Sequence, residues 1–402
     1  MTKPELLSPA GSLEKLVAAT SYGADAVYLA GQKFGLRTAA ENFTLEELEE
    51  GVKFAHSRGS KVYTVLNSFL HDEDMVELPE FIRQLSRLKI DGVIASDLGV
   101  ITLVAKHSSL PIHLSTQATC LNVESALYWK DLGVNRLILG REASIEGARK
   151  IKEATGIEIE LFIHGSMCMA YSGNCTISNF TQGRDSNRGG CAQSCRFSYS
   201  LEYPSKNKEN PEAYSNTYFM SSKDLKGIEH IPQFFEAKID SLKIEGRMRS
   251  PLYAAMISKI YRQAIDTYAS SPADFQKLLG LWQQELNLIP HREYSSGNLA
   301  HPANKLSVNK QKLRAKEKYE FIGLIKKVVP KEYLLVEVRN PFSSGEVIEL
   351  IFPYGDPIKF AVKEIKSSMG TLIDIAKQGT LVRIPYHANA GVGQVIRKYL
   401  HS

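Results

Sequence analysis

Cysteine is scarce in this sequence, with five among 402 residues. So small and odd a number is a poor basis for the disulfide framework of a secreted domain, and it points to reduced thiols available as metal ligands. Long apolar runs are missing too. No stretch approaches the roughly 18 consecutive apolar residues of a membrane-spanning helix, and the opening MTKPELLSPAGSLEK has no apolar run behind basic residues, as a secretory signal requires. A cytoplasmic protein with no membrane partner is expected. Gly, Pro and charged residues occur at ordinary levels, which excludes a disordered or fibrous chain. Three catalytic signatures are absent as well: H-E-x-x-H, G-x-S-x-G, and G-x-G-x-x-G after the first apolar run.

Charge of one sign is in small excess, at +5, but it is unevenly placed. Residues 301–402 hold 17 Lys+Arg against 9 Asp+Glu, so the first 300 residues are slightly acidic. A basic final quarter fits a nucleic-acid partner, with a plain basic surface as the alternative.

What is present is a regular alternation. Apolar runs ELLSPAG, ADAVYLAG, SKVYTVLNSF, DGVIASD, PIHLSTQAT, VNRLILG and IEIELFIHG are separated by helix-like stretches such as SLEKLVAATSYG and TLEELEEGVKFAHSRG. An eighth, IDSLKIEG, precedes the amphipathic PLYAAMISKIYRQAIDTYAS. Strands apolar on both faces and joined by helical crossovers predict a parallel sheet. Eight units predict a TIM-like (β/α)8 barrel over 1–270 with its active face at the C-terminal strand ends, in preference to a doubly wound open sheet. Residues 271–320 read as a linker and partly helical connection. From 321 to 402, short β-rich runs punctuated by Gly and Pro predict a small C-terminal β-barrel or sandwich.

Four cysteines fall in HGSMCMAYSGNCTISNFTQGRDSNRGGCAQSCR, residues 164–196, directly after the seventh predicted strand. Cys168, Cys175, Cys191 and Cys195 are separated by six, fifteen and three residues, a spacing that fits an iron–sulfur cluster better than the paired knuckles of a zinc ribbon. Zinc and unligated thiols remain the alternatives, and either Cys195 or a non-cysteine group is the fourth ligand. The fifth, Cys120, reads as a small buried apolar side chain.

Polar residues at predicted strand ends are candidates for substrate binding: Asn67, Gln117 and Arg141, with Lys243 and Arg247 in SLKIEGR and with Arg184 and Asn187 between the cysteines. Glu160, His164 and Glu245 are candidates for proton transfer. Glu160 and His164, four apart, are expected on the same face of their strand. Tyr171, Phe180, Phe197 and Tyr199 offer surfaces for base stacking, or packing around the cysteine loop. A cysteine with His164 as its base would be the peptidase arrangement.

The cysteine segment, the opening ELLSPAGSLEKLVAATSYGADAVYLAG and the motif SLKIEGRMRSPLY together resemble the collagenase-like peptidase family, peptidase family U32, over essentially the whole chain. The length, single cysteine motif and β-rich tail are most similar to its tRNA branch. That resemblance implies a tRNA modification enzyme that installs 5-hydroxyuridine at the wobble position of the anticodon, with a cluster (4Fe–4S) and prephenate as a small carboxylate cosubstrate. Other branches act on 23S rRNA cytidine or on ubiquinone, and the family name implies peptide hydrolysis as the alternative; a non-enzymatic RNA-binding role is a further one. By family pattern Cys168, Cys175 and Cys191 are cluster ligands. For such a reaction Lys243, Arg247 and Arg184 are the candidates to bind the carboxylates, and the basic tail is the candidate to hold the tRNA backbone.

Overall fold

Eight short strands whose residues are buried on both faces can be satisfied only by a sheet covered on both sides. In the computed structural model, which describes residues 2–35, 41–200, 218–302, 304, 307 and 318–400, they form a closed ring. Strands β1 (Glu5–Pro9), β2 (Ala26–Leu29), β3 (Lys61–Leu66), β4 (Gly92–Ala95), β5 (Ile112–Leu114), β6 (Arg136–Ile138) and β7 (Glu158–Ser166) pair in parallel, each with its sequence neighbour. The strand β8 (Asp224–Lys226) runs antiparallel to the end of β7. The next, β9 (Ser241–Ile244), pairs in parallel with both β7 and β1, and so closes the barrel. Helices fill the crossovers. Leu45–Ser57 starts at a capping box in which Thr44 accepts from the Glu47 backbone N–H and Glu47 accepts from that of Thr44. Ile145–Thr155 is capped by Ser144 and ends at Gly156 in the left-handed conformation.

The stretch read as a connection does more than connect. It carries the helix Pro272–Asn287 and a two-residue strand, β10 (Tyr294–Ser295), which pairs with β8 beside the barrel mouth. The helix before it, Pro251–Ser270, is buried on nearly every side because barrel strands, helix Leu13–Ser21 and the C-terminal domain all pack on it. Among the described residues no helix is long and apolar enough to cross a membrane.

The C-terminal domain contains β11 (Tyr319–Val329), β12 (Tyr333–Val338), β13 (Phe342–Ser343), β14 (Val347–Leu350), β15 (Ile358–Ala361), β16 (Ile365–Ser367), β17 (Leu372–Ile373), β18 (Ile375–Ala376), β19 (Leu381–Pro385) and β20 (Val395–Tyr399). Eight of these form one antiparallel sheet in the order β15-β14-β20-β11-β12-β19-β16-β17, and β13 pairs with β18 apart from it. The expected small closed barrel is therefore corrected to an open half-barrel. Irregularities near Gly323 and between Ile325 and Lys327 curl the long β11, but the short outer strands β15 and β17 do not pair with each other, so the ring stays open. Ile322, Val336, Phe342, Ile348, Val382 and Ile396 give this domain a core of its own. It is tied to the barrel through the buried Tyr22, whose hydroxyl donates to the Ile351 carbonyl at 2.7 Å and accepts from the Val395 N–H at 3.1 Å.

Candidate functional site

The cysteine segment opens at the C-terminal end of β7, where the chain passes very close to the end of β9. A Cβ on Gly165 would lie 2.3 Å from the Glu245 carbonyl oxygen, and φ there is +107°, so glycine is required on both counts. Side-chain clamps hold the loop that follows. Asn187 bonds both the N–H and the C=O of Cys175, at 3.3 and 3.1 Å, while its own carbonyl accepts from Phe69 N–H in the loop after β3. Arg188 pairs with Asp74 at 2.7 Å, and Ser178, Thr181 and Ser194 share a hydroxyl cluster. Arg196 donates to the Met167 and Ser222 carbonyls.

These restraints turn Cys168, Cys175, Cys191 and Cys195 toward one cavity of about 490 Å³ at the barrel mouth. All four thiols are free and half-buried. Burial pushes the Cys175 and Cys195 thiols above their ordinary range, and the neighbouring cysteines add to the effect. Among the described residues no three His, Cys, Asp or Glu side chains gather around a point that a single metal ion could occupy. Four thiols with no imidazole, facing one cavity, are a donor set of the kind that an iron–sulfur cluster or a zinc ion requires. Cys120 stands apart, buried, with its thiol pushed up to about 11 by burial.

The floor and walls come from the strand ends. Lys243 on β9 lines the cavity, donates to Glu160 at 2.8 Å and lies over the rings of Tyr28 and Phe162 at 4.4 and 5.7 Å. Burial drives the Lys243 ammonium down, and Glu160 only partly offsets this. Glu160 itself is wholly buried beneath the cavity and also meets Arg136, which in turn reaches Glu5 and Glu158. It supports the lysine from below and does not line the cavity. Glu245 does, and it makes no ion pair among the described residues. Arg247 lines it as well and donates to Asn42. On the opposite wall, Asn67 donates to the Ser115 hydroxyl at 3.1 Å and to Gln117 at 3.3 Å, leaving its buried Oδ1 without a partner. Arg141 lies 3.9 Å over Phe162 and bonds the Ser166 carbonyl.

Besides Glu160, three more candidates fall off the cavity. Arg184 is exposed and off the cavity, and Asn187 is used in clamping Cys175. His164 does not share a face with Glu160. The pairing of β7 with β9 slips by one residue between Phe162 and His164, and such a bulge reverses the facing of everything after it. His164 therefore packs against Tyr253, Tyr261 and Tyr294, with Nδ1 3.1 Å from the Tyr261 hydroxyl. Burial pushes its imidazole down to about 3, so it is neutral. Among the described residues no histidine lines the cavity, so a cysteine–histidine pair is not assembled there.

Three cavity-lining cations escaped sequence reasoning: Arg196, Arg249 and Arg292. Burial pushes Asp224 up, but Arg292, its backbone N–H and Arg249 outweigh this and hold the carboxyl below its usual range. Arg249 stands two residues past Arg247 in the same motif, a signal that was available. Arg292 lies in the stretch read as a linker, and only the pairing of β10 with β8 brings it to the mouth.

The chain matches the model of peptidase family U32 over residues 11–309 and that of the peptidase family U32 C-terminal domain over 317–397. The tRNA hydroxylation protein P1 of Bacillus subtilis is 39% identical over 384 residues, covering 93% of this chain and 90% of that protein. The tRNA hydroxylation protein P of Escherichia coli is 34% identical, covering 94% and 92%. A protein of Porphyromonas gingivalis named collagenase is 32% identical over 305 residues, covering 73% and 72%. The chain belongs to peptidase family U32 and is closely related to the bacterial tRNA hydroxylation proteins.

Proposed function

We propose that this protein is a tRNA modification enzyme that hydroxylates C5 of the wobble uridine, with an iron–sulfur cluster as cofactor and prephenate as cosubstrate. The observation that carries the reading is one cavity at the mouth of the barrel, faced by all four clustered thiols and by six cationic side chains, in a chain similar over nine-tenths of its length to a tRNA hydroxylation protein. Cys168, Cys175 and Cys191 would hold the cluster, with Cys195 as the fourth thiol. When bound, such a group supplies one-electron chemistry or a Lewis-acidic iron.

The chain's own residues do the rest. Asn67, Ser115 and Gln117 form an uncharged wall of amides and hydroxyls suited to the polar edge of a base that has left its stack. Lys243, held upright by Glu160, and Arg247 place positive charge on the floor. Glu245 is the cavity carboxylate free to accept the proton that hydroxylation displaces from C5. Tyr171 and Phe180, exposed on the cysteine loop, offer stacking surfaces to neighbouring bases, and the basic C-terminal domain suits the RNA backbone.

The test is nucleoside mass spectrometry of tRNA from a strain lacking this gene and any paralogue. Wobble 5-hydroxyuridine disappears, the wild-type gene restores it, and Cys168→Ala or Cys191→Ala does not. Anaerobically purified protein contains iron and sulfide and absorbs in the visible. Unchanged nucleosides in the deletion strain would overturn the substrate, and stoichiometric zinc without iron would overturn the cofactor.

A further inference from the structure

We infer that Arg141, Arg249 and Arg292, gathered around Ser166 at the end of β7, form an anion subsite that receives a carboxylate of a small organic acid. The inference rests on the function proposed above and names residues for its cosubstrate. Ser166 is the hub. Its carbonyl accepts from Arg141 Nε and its hydroxyl from Arg292 Nη2, both at 3.1 Å, so two guanidinium groups flank one residue of the cavity wall. Arg249 reaches the same place through Asp224, which it shares with Arg292.

Charge does not balance there. Among the described residues the three arginines have one carboxylate between them, and Asp224 lies behind the wall, 2% exposed, while all three arginines line the cavity. Arg292 and Arg249 side chains are 12% and 22% exposed. Cations so far out of water call for a counter-charge. Two further observations show donors left over. Arg292 Nε is buried with no hydrogen-bond partner. Arg141 commits its Nε to Ser166, and its terminal amino groups have no bond among the described residues, while stacking on Phe162 fixes the plane of the guanidinium. A planar fork of fixed orientation with unspent N–H groups is the geometry that binds a carboxylate through two parallel hydrogen bonds.

The other cavity cations are already employed. Lys243 is paired with Glu160, Arg247 donates to Asn42, and Arg196 is spent on the carbonyls of Met167 and Ser222. An RNA phosphate presents similar oxygens, but these arginines sit in the cavity wall and not on the outer surface, which favours a free acid that enters whole.

The experiment is isothermal titration of the full-length protein with prephenate, with inorganic phosphate and with an anticodon stem-loop RNA. Wild type binds prephenate. Arg141→Ala and Arg292→Ala each weaken that binding roughly 10- to 100-fold, the scale of a lost charge-assisted pair, and leave RNA affinity within about twofold. Arg87→Ala, at the exposed end of the helix Leu78–Arg87 and off the cavity, changes neither. Arg141 makes no contact with Asp224, so its variant still reports if Arg292→Ala fails to fold. Wild-type prephenate affinity in Arg141→Ala overturns the subsite. So does a loss of RNA affinity with prephenate unchanged, which would assign the arginines to a phosphate of the RNA, or inorganic phosphate binding as tightly as prephenate. If wild type binds no prephenate while the tRNA is still modified, the proposed cosubstrate fails, and the carboxylate subsite fails with it. If wild type binds and the variants lose nothing, the subsite alone fails.

Discussion

Replacing Glu160 by Gln tests how the cavity lysine is held. The carboxylate is fully buried, and its Oε1 lies 2.8 Å from Lys243 Nζ, which is itself 94% buried at the side chain. Removing one partner of a buried ion pair costs about 3–5 kcal/mol because the remaining charge is stranded out of water. A ceiling applies, since the stranded lysine can shed its proton. Taking an amine from its ordinary pKa of about 10.4 to the neutral form at pH 7 costs about 5 kcal/mol, and at pH 9 only about 2 kcal/mol. The sign follows directly. The unfolded variant binds a proton that the folded variant refuses, so the variant gains stability relative to wild type as pH rises through this window. Urea unfolding followed by far-ultraviolet circular dichroism is the assay. The expected gap is about 3–5 kcal/mol at pH 7 and falls to about 2 kcal/mol or less at pH 9. Arg136 keeps Glu5 and Glu158 and should not add to it. The double variant Glu160→Gln/Lys243→Met should recover most of the loss, as apolar replacement of a buried pair does. A gap below about 1 kcal/mol at pH 7, or one that does not change with pH, refutes the reasoning.

Two further perturbations probe the mouth. Gly165→Ala combines a positive φ with a Cβ 2.3 Å from the Glu245 carbonyl, and strain plus overpacking should cost about 3 kcal/mol or more; a urea midpoint near that of wild type would show that β7 and β9 can part without penalty. His164, with its imidazole held down to about 3 by burial, leaves the folded state unprotonated where the unfolded state takes up a proton. Stability should therefore fall by about 1.4 kcal/mol per pH unit from this group as pH drops from about 6.5 toward 3. His113, His230 and His291 are shifted in the same direction, so the readout is the difference between wild type and His164→Gln, and parallel pH profiles for the two would contradict the assignment.

The barrel was legible because its information is local. An apolar run such as ADAVYLAG, too short for a core helix and ended by glycine, fits a buried strand, and the helix-like stretch after it fits a crossover. Counting such units placed the cysteine segment after the seventh strand, and the closed ring β1–β7 and β9 has it there. Side-chain facing was not local. A one-residue slip between Phe162 and His164 depends on how β7 meets β9, some eighty residues later, and it sends His164 into a tyrosine cluster while Glu160 stays inside the barrel. Closure of the C-terminal sheet is likewise decided by whether β15 and β17 can reach each other, which no single strand encodes. Arg292 illustrates the same divide at the site. Its sequence neighbourhood reads as a linker, and it reaches the mouth only when β10 adds to β8 and Asp224 draws it beside Arg249 and Ser166. Periodicity and motif spacing, short-range properties of the chain, determined the architecture and the mouth where the thiols gather. Which charges share that mouth was left to long-range strand pairing, because a charge's meaning depends on partners that only folding brings near.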